Sequence, residues 1–174
     1  MLRLMLLRHA KSSWPSGIQD TERPLSDRGE AAARLMGSYM AHHSLIPDRV
    51  LCSPARRTRD TWTGVSAQLP ARVDAVFDGR LYGAGHQGIL PVIRDQDDAV
   101  HTLLLLGHNP GLQEVAEFLI ASGDVEQRER LREKFPTAAL AVIDFTLDTW
   151  SGVHERSGRL DRYVTPRLVA AATN

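Results

Sequence analysis

Three stretches of this 174-residue chain carry side chains suited to chemistry: Arg8-His9, the arginines Arg56, Arg57 and Arg59, and Gly107-His108-Asn109. Histidine can act as nucleophile, acid or base near neutral pH. Arginine presents fixed, permanently charged donors that match phosphate oxygens. Together they suit phosphoryl transfer. A neutral imidazole can attack phosphorus and hold the group as phosphohistidine, which splits one hydrolysis into two displacements. A second histidine can donate hydrogen bonds to the phosphoryl oxygens. The sequence has no His-Glu-x-x-His and no P-loop, so no motif calls for a metal, and no cofactor is expected.

Such groups work only if the fold brings them together. Leu4-Met5-Leu6-Leu7 is a short apolar run that breaks off at Arg8-His9, the pattern of a buried parallel strand. In open α/β sheets the ligand lies beyond the carboxyl ends of the strands, which is where Arg8 and His9 emerge. A second apolar run, residues 102–106, ends at Gly107-His108. There Asn109 reads as a helix N-cap and Pro110 as the first helical residue. His108 therefore falls between a strand end and a helix N-terminus, a position that favours anions. The third stretch follows a strand over Asp48–Cys52, where Ser53-Pro54 repeats the cap and first-turn pattern and opens a helix over about 55–69. Positive charge at a helix N-terminus is unfavourable by a few tenths of a kcal/mol or more, so three arginines there suggest an anion to offset them. Arg56 is spaced to pair with Asp60, and Arg57 shares a face with Thr61. Spacing alone does not choose which arginine points inward.

The rest of the chain alternates strands and helices. A polar loop over residues 11–24, with Trp14, Pro15 and Gly17, is long enough to fold over a site. Ser26 or Asp27 caps a helix running to about His43, with a stripe of Ala32, Leu35, Met36 and Tyr39. His42 and His43 at its end read as surface residues. A weaker strand over 73–77 leads into a Gly-rich loop, 78–88, with Arg80, Tyr82 and His86, then a short helix over 87–95. A helix over 110–121 follows the second histidine. Residues 125–135 read as an exposed, charged helix with i,i+4 pairs, ended by Pro136. Strands over 138–147 and 159–164 are joined loosely through 150–158. The pattern predicts an α/β fold: a single-domain, three-layer α/β/α sandwich around a mostly parallel, doubly wound sheet. The domain is expected over 1–166, with a mobile tail over 167–174.

Composition narrows the function classes. The 43% hydrophobic and 24% charged content is ordinary for a globular protein. Its 21 basic and 21 acidic residues cancel, so no global field draws the chain to nucleic acid or to an anionic membrane. Cys52 is the only cysteine; no intramolecular disulfide can form, and Cys52 reads as a buried strand residue. The run at 4–7 is too short for a signal-peptide core or a membrane span. A cytoplasmic monomer is expected, acting on a phosphorylated protein or a small phosphorylated substrate.

Taken as a set, the motifs resemble those of the histidine phosphatase superfamily. Leu7-Arg8-His9-Ala10 is similar to its Arg-His-Gly signature, with Ala in place of Gly. Ser53-Pro54-Ala55-Arg56-Arg57-Thr58-Arg59-Asp60-Thr61 is similar to its Ser-Pro-x-x-Arg-Ala-x-x-Thr segment, and that match selects Arg57 over its neighbours. Gly107-His108-Asn109 matches the second histidine block. More narrowly, Arg8-His9-Ala10-Lys11-Ser12-Ser13-Trp14, Asp20-x-x-Arg23-Pro24-Leu25, Leu81-Tyr82 and Gly107-His108-Asn109-Pro110-Gly111 resemble the small SixA-type phosphohistidine phosphatases. The resemblance implies a phosphoglycerate mutase-like fold and no metal. It implies His9 as nucleophile, with Arg8, Arg57 and His108 around the phosphoryl group and Ser12, Arg23 and Asn109 among the substrate-binding residues.

One departure concerns the general acid. Many family members carry a glutamate after the third strand, where this chain reads Phe77-Asp78-Gly79-Arg80-Leu81-Tyr82. Asp20 is the substitute candidate, with His86 and Asp78 as alternatives. Phosphohistidine leaves as imidazole and needs such an acid less than an alkoxide does, so phosphohistidine in proteins is the expected substrate. The alternatives are a small phosphomonoester, or a binding module that holds phosphoryl groups without turnover. A mutase is disfavoured by the small stock of lid-forming loops.

Overall fold

The first strand has no polar face. In β1 (Leu2–Arg8), Leu2, Leu4 and Leu6 enter one core cluster while Met5 and Leu7 enter another. The same split recurs in β4 (Thr102–Gly107), with Leu103 and Leu105 on one side and Leu104 and Leu106 on the other. A strand buried on both faces needs a continuous apolar run rather than alternation, which is why these segments stand out in the sequence. Each such leucine contributes roughly 1.5–3 kcal/mol by leaving water.

The remaining strands are β2 (Arg49–Cys52), β3 (Ala75–Phe77), β5 (Ile120–Gly123), β6 (Leu140–Phe145) and β7 (Gly158–Val164). They form one sheet in the order β3-β2-β4-β1-β6-β7-β5. β6 is antiparallel to both of its neighbours, and the other pairings are parallel. The helices are α1 (Asp27–His42), α2 (Arg56–Ser66), α3 (His86–Arg94), α4 (Gly111–Leu119), α5 (Val125–Glu133) and α6 (Pro166–Ala172). One core cluster packs Ile89, Ile93, Leu112, Val115, Leu119 and Leu131, from α3, α4 and α5, against the sheet. The other packs Ala33, Met36, Met40, Trp62, Val65 and Val169, from α1, α2 and α6, against its opposite face. This is the expected three-layer α/β/α sandwich. It is seen in a computed structural model that describes residues 1–172. No helix among these residues is long and apolar enough to cross a membrane.

The structure departs from the sequence reading in several places. The helix after His108 stops at Leu119, and Ile120 turns directly into β5, a strand the sequence did not suggest. Its partner is β7, far along the chain, and Ile120 continues the apolar stripe of Val115 and Leu119, so no local signal marked the change. The expected mobile tail is helical over 167–172, held by the buried Val169; the last two of its positions lie outside the described residues. The loose link after Trp150 is anchored. That indole is fully buried and donates from Nε1 to the Val100 carbonyl at 2.7 Å. The cap of α1 is as expected: of the two candidates it is Ser26, accepting from the Gly29 N–H at 3.1 Å.

Candidate active site

Strand register sets the centre of the site. β1 and β4 pair in parallel with Arg8 opposite Gly107, so His9 and His108 are the first residues beyond two adjacent strands. The His9 N–H donates to the Gly107 carbonyl at 3.0 Å, and the two rings lie 5.3 Å apart between centroids. β2 flanks β4 on its other side, and its extension brings Ser53 to His108 with Oγ 2.8 Å from Nε2. The sequence had Ser53 capping α2. Instead the helix starts at Arg56, and Ser53 accepts the Ala55 N–H at 3.3 Å while facing the imidazole. Likewise α4 begins at Gly111 rather than Pro110, although Asn109 Oδ1 still accepts the Gln113 N–H at 3.3 Å.

His9 is presented as a nucleophile would be. Its Nδ1 lies 2.7 Å from the Ala10 carbonyl. A carbonyl only accepts, so Nδ1 carries the proton and Nε2 keeps its lone pair. The ring is buried; that burial, together with the nearby His108 ring and the Arg8 and Arg57 cations and against the pull of the Ala10 hydrogen bond, drives its pKa down to about 3. Burial and Arg57 lower His108 to about 4. Both rings are therefore neutral at pH 7. Their folded values lie below the ordinary 6.5, so this contribution to stability is complete above about pH 6.5 and is lost as the pH falls towards 4 and then 3. Ring nitrogen shifts in an NMR titration should keep His9 and His108 neutral from about pH 8 to pH 5, with unfolding free energy declining below about 6.5. A His9 midpoint near 6.5 would contradict the burial argument.

Cations surround these rings. Arg57 is the buried member of its cluster; it donates to the Asp20 backbone carbonyl at 2.8 Å and to the Asp20 carboxylate at 3.1 Å. Arg56 is half exposed and pairs with Asp60 at 3.4 Å. Thr61, on the same helix face as Arg57, accepts the Ala10 N–H at 2.9 Å and so ties α2 to the residue after His9. Arg8 donates to the Phe135 carbonyl at 3.0 Å, and its buried Nε has no hydrogen-bond partner among the described residues. The Asn109 amide reaches the same carbonyl at 3.2 Å, and Gln113 extends the network to the Leu131 and Arg132 carbonyls. The segment from α5 to Phe135 thus supplies backbone acceptors that orient Arg8 and Asn109.

Two loops close the rim, each seated on a helix through a glycine. A Cβ on Gly29 would meet the Lys11 carbonyl oxygen at 1.9 Å, and one on Gly111 would meet that of Ala84 at 2.1 Å. Only glycine permits such backbone approach. The first loop carries Asp20 and Arg23. Arg23 is buried beneath Trp14, with its guanidinium carbon 3.1 Å from the ring centre, and donates to Ser12 Oγ at 2.5 Å and Asp20 at 3.1 Å. The second loop carries Tyr82, whose hydroxyl donates to the Asp20 carboxylate and whose ring meets His108 edge-on. With these three donors, Tyr82 foremost, the Asp20 pKa falls to about 2.

All eight sequence-selected residues, Arg8, His9, Ser12, Asp20, Arg23, Arg57, His108 and Asn109, line one cleft of about 520 Å³. The alternative acids do not. His86 faces Glu114 at 3.4 Å, and Asp78 is paired with Arg80 at 2.8 Å. Sequence reading had no role for Ser53, Tyr82 or Trp14 beyond a cap, a motif and a loop residue. The aromatic residues in otherwise polar or Gly-rich loops were the available signal. What the cleft offers is a neutral imidazole with a free lone pair, facing clustered guanidinium groups. It can accept a phosphoryl group.

Comparison with known proteins agrees with this chemistry. A sequence profile described as histidine phosphatase superfamily, branch 1, matches residues 4–94. An uncharacterized Mycobacterium tuberculosis protein is 37% identical over 163 residues, covering 92% of this chain and all of that protein. The crystal structure of a candidate phosphohistidine phosphatase SixA from Agrobacterium tumefaciens is 30% identical, with a TM-score of 0.78 over 95% of this chain and 99% of that one. A similarly described SixA structure from Nakamurella multipartitia is 26% identical, with a TM-score of 0.82 over 95% and 96% of the two chains.

Proposed function

This chain belongs to the histidine phosphatase superfamily and is a phosphohydrolase, and from that premise we propose that it removes phosphoryl groups from phosphohistidine in proteins through a phosphorylated His9. The observation that carries the choice of substrate is the state of Asp20. It is the one carboxylate lining the cleft among the described residues, and Arg57, Arg23 and Tyr82 hold it ionised. An ionised carboxylate has no proton to give, so a poor alkoxide leaving group would find no acid ready. A phosphohistidine ring protonated on its second nitrogen departs as neutral imidazole and needs none.

The steps follow from the hydrogen bond at Ala10. The Nε2 lone pair of His9 attacks phosphorus as the substrate's P–N bond breaks and its electron pair returns to the departing imidazole. Phosphorylated His9 keeps its proton on Nδ1 and carries a positive charge, which the Ala10 carbonyl stabilises. Water then attacks phosphorus, its proton passing to an oxygen of the phosphate that forms; the second P–N bond breaks with its electron pair returning to Nε2, and His9 is restored with the same tautomer. Its proton never moves. Arg8, Arg57 and His108 provide fixed donors for the equatorial oxygens, where charge accumulates in both displacements. Arg23 organises Asp20 and Ser12, and Asp20 fixes the Arg57 fork.

A comparison of specificity constants tests the substrate. A phosphohistidine peptide should exceed a panel of phosphomonoesters, and Asp20→Asn should change the phosphohistidine rate by less than about tenfold, since the carboxylate supplies no proton there. If monoesters are preferred, and only their hydrolysis requires Asp20, the assignment fails in favour of a small-molecule phosphatase.

A further inference from the structure

A second, larger groove of about 700 Å³ adjoins the catalytic cleft. The two share Lys11 and Thr137 as lining residues. The groove collects cations from four separate segments: Lys11 from the first loop, Arg28 from α1, Arg130 and Lys134 from the end of α5, and Arg167 from α6. Among the described residues a single carboxylate, Glu133, stands with them. In a chain whose charges cancel overall, five cations against one anion is a local concentration. Of the five, Arg130 alone is ion-paired among the described residues, with Glu126 at 2.7 Å. Pro136, Pro166 and the partly exposed Leu168 add apolar surface to the same lining.

Resting on the reading of the cleft given above, we infer that this groove docks an acidic stretch of polypeptide flanking the phosphorylated residue. The dispersion of the cations decides the kind of ligand. A phosphate subsite would converge donors on one point, whereas these come from four segments around a groove of about 700 Å³ that apolar residues also line. An extended peptide with alternating acidic and apolar side chains matches that layout. Nucleic acid suits it less, because Tyr163, the one aromatic residue lining the groove among the described residues, is buried and offers no face for bases to stack on. Continuity is built in, since the Lys11 carbonyl lies against Gly29 at the start of α1. A chain leaving the catalytic cleft past Lys11 enters the groove beside Arg28. Opposite charge at such a rim raises encounter rate and selectivity, and it is weakened by salt.

A peptide panel crossing two phosphorylated residues, phosphohistidine and phosphoserine, with two flanks, acidic and amide (Asp and Glu replaced by Asn and Gln), separates the groove from the leaving-group chemistry. The wild-type enzyme should prefer acidic over amide flanks by about tenfold in kcat/KM, with the preference shrinking as sodium chloride is raised. The double variant Arg28→Glu/Arg167→Glu should abolish the preference, and Arg28→Gln/Arg167→Gln should reduce it. Both should hydrolyse a small phosphoramidate at the wild-type rate, which also reports that the fold is intact. A flank preference within about twofold of unity in the wild type, or one that survives both double variants, overturns the groove assignment. So does a single-stranded RNA that competes for the groove better than the acidic peptide. Failure of the phosphohistidine reading shows instead as a preference for phosphoserine at either flank, which leaves the flank effect free to stand or fall by itself.

Discussion

Replacing His9 with alanine is expected to lower turnover by at least about a thousandfold while leaving the fold intact. The ring keeps the Nε2 lone pair on the side away from its own hydrogen bond, because Nδ1 is committed to Ala10. Arg8, Arg57 and His108 can stabilise charge on a phosphoryl group, but none can replace the atom that bonds to phosphorus. The side chain lines the cleft and belongs to neither hydrophobic core cluster. Circular dichroism and the melting temperature should therefore change little. Quenching the wild-type reaction in base should reveal acid-labile phosphate on His9, and the variant should carry none. Activity within a few-fold of the parent, or label on another residue, would overturn the mechanism.

Arg57→Ala is expected to show the next largest loss, about a hundred- to a thousandfold in kcat. The guanidinium is buried, adjoins both histidines electrostatically and is held by the Asp20 backbone and carboxylate. Its donors are therefore oriented before substrate arrives. Arg57→Lys restores charge without the planar fork and should recover only part of the rate. The control is one residue away. Arg56 is half exposed and paired with Asp60, an arrangement worth at most about 1 kcal/mol, and Arg56→Ala should stay within a few-fold of wild type. A harmless Arg57→Ala beside a crippling Arg56→Ala would mean that the wrong arginine had been placed at phosphorus.

The orientation of His108 depends on contacts that no local pattern encodes. Its Nε2 meets Ser53 from β2, its ring meets Tyr82 from the loop after β3, and its neighbour Asn109 is tied to Phe135 before β6. Each of these residues has an ordinary local explanation in the sequence, as cap, loop residue or turn. Their joint use at one histidine exists only once the strands have paired.

The sequence by itself determined the strands, the helices that follow them and the short list of groups able to do chemistry. Those features rest on local physics: a strand buried on both faces must be apolar throughout, as in Leu4–Leu7 and Leu103–Leu106, and a polar residue ending such a run must emerge at the sheet edge. Where an element depends on a distant partner, the local pattern was silent. β5 forms because β7 lies beside it, and α6 is ordered because Val169 finds the core. The same division holds in the cleft. That Arg57, rather than Arg56, faces inward was implied by resemblance and not by spacing; burial and its bonds to Asp20 place it there. Only the tertiary structure decided the protonation of the site, because a pKa follows from burial and from charges brought together across the chain. Three segments clamp Asp20 into a carboxylate at about pKa 2, and the strand ends bury His9 to about pKa 3. The residue types name an acid and a base, and their surroundings decide which form each one takes.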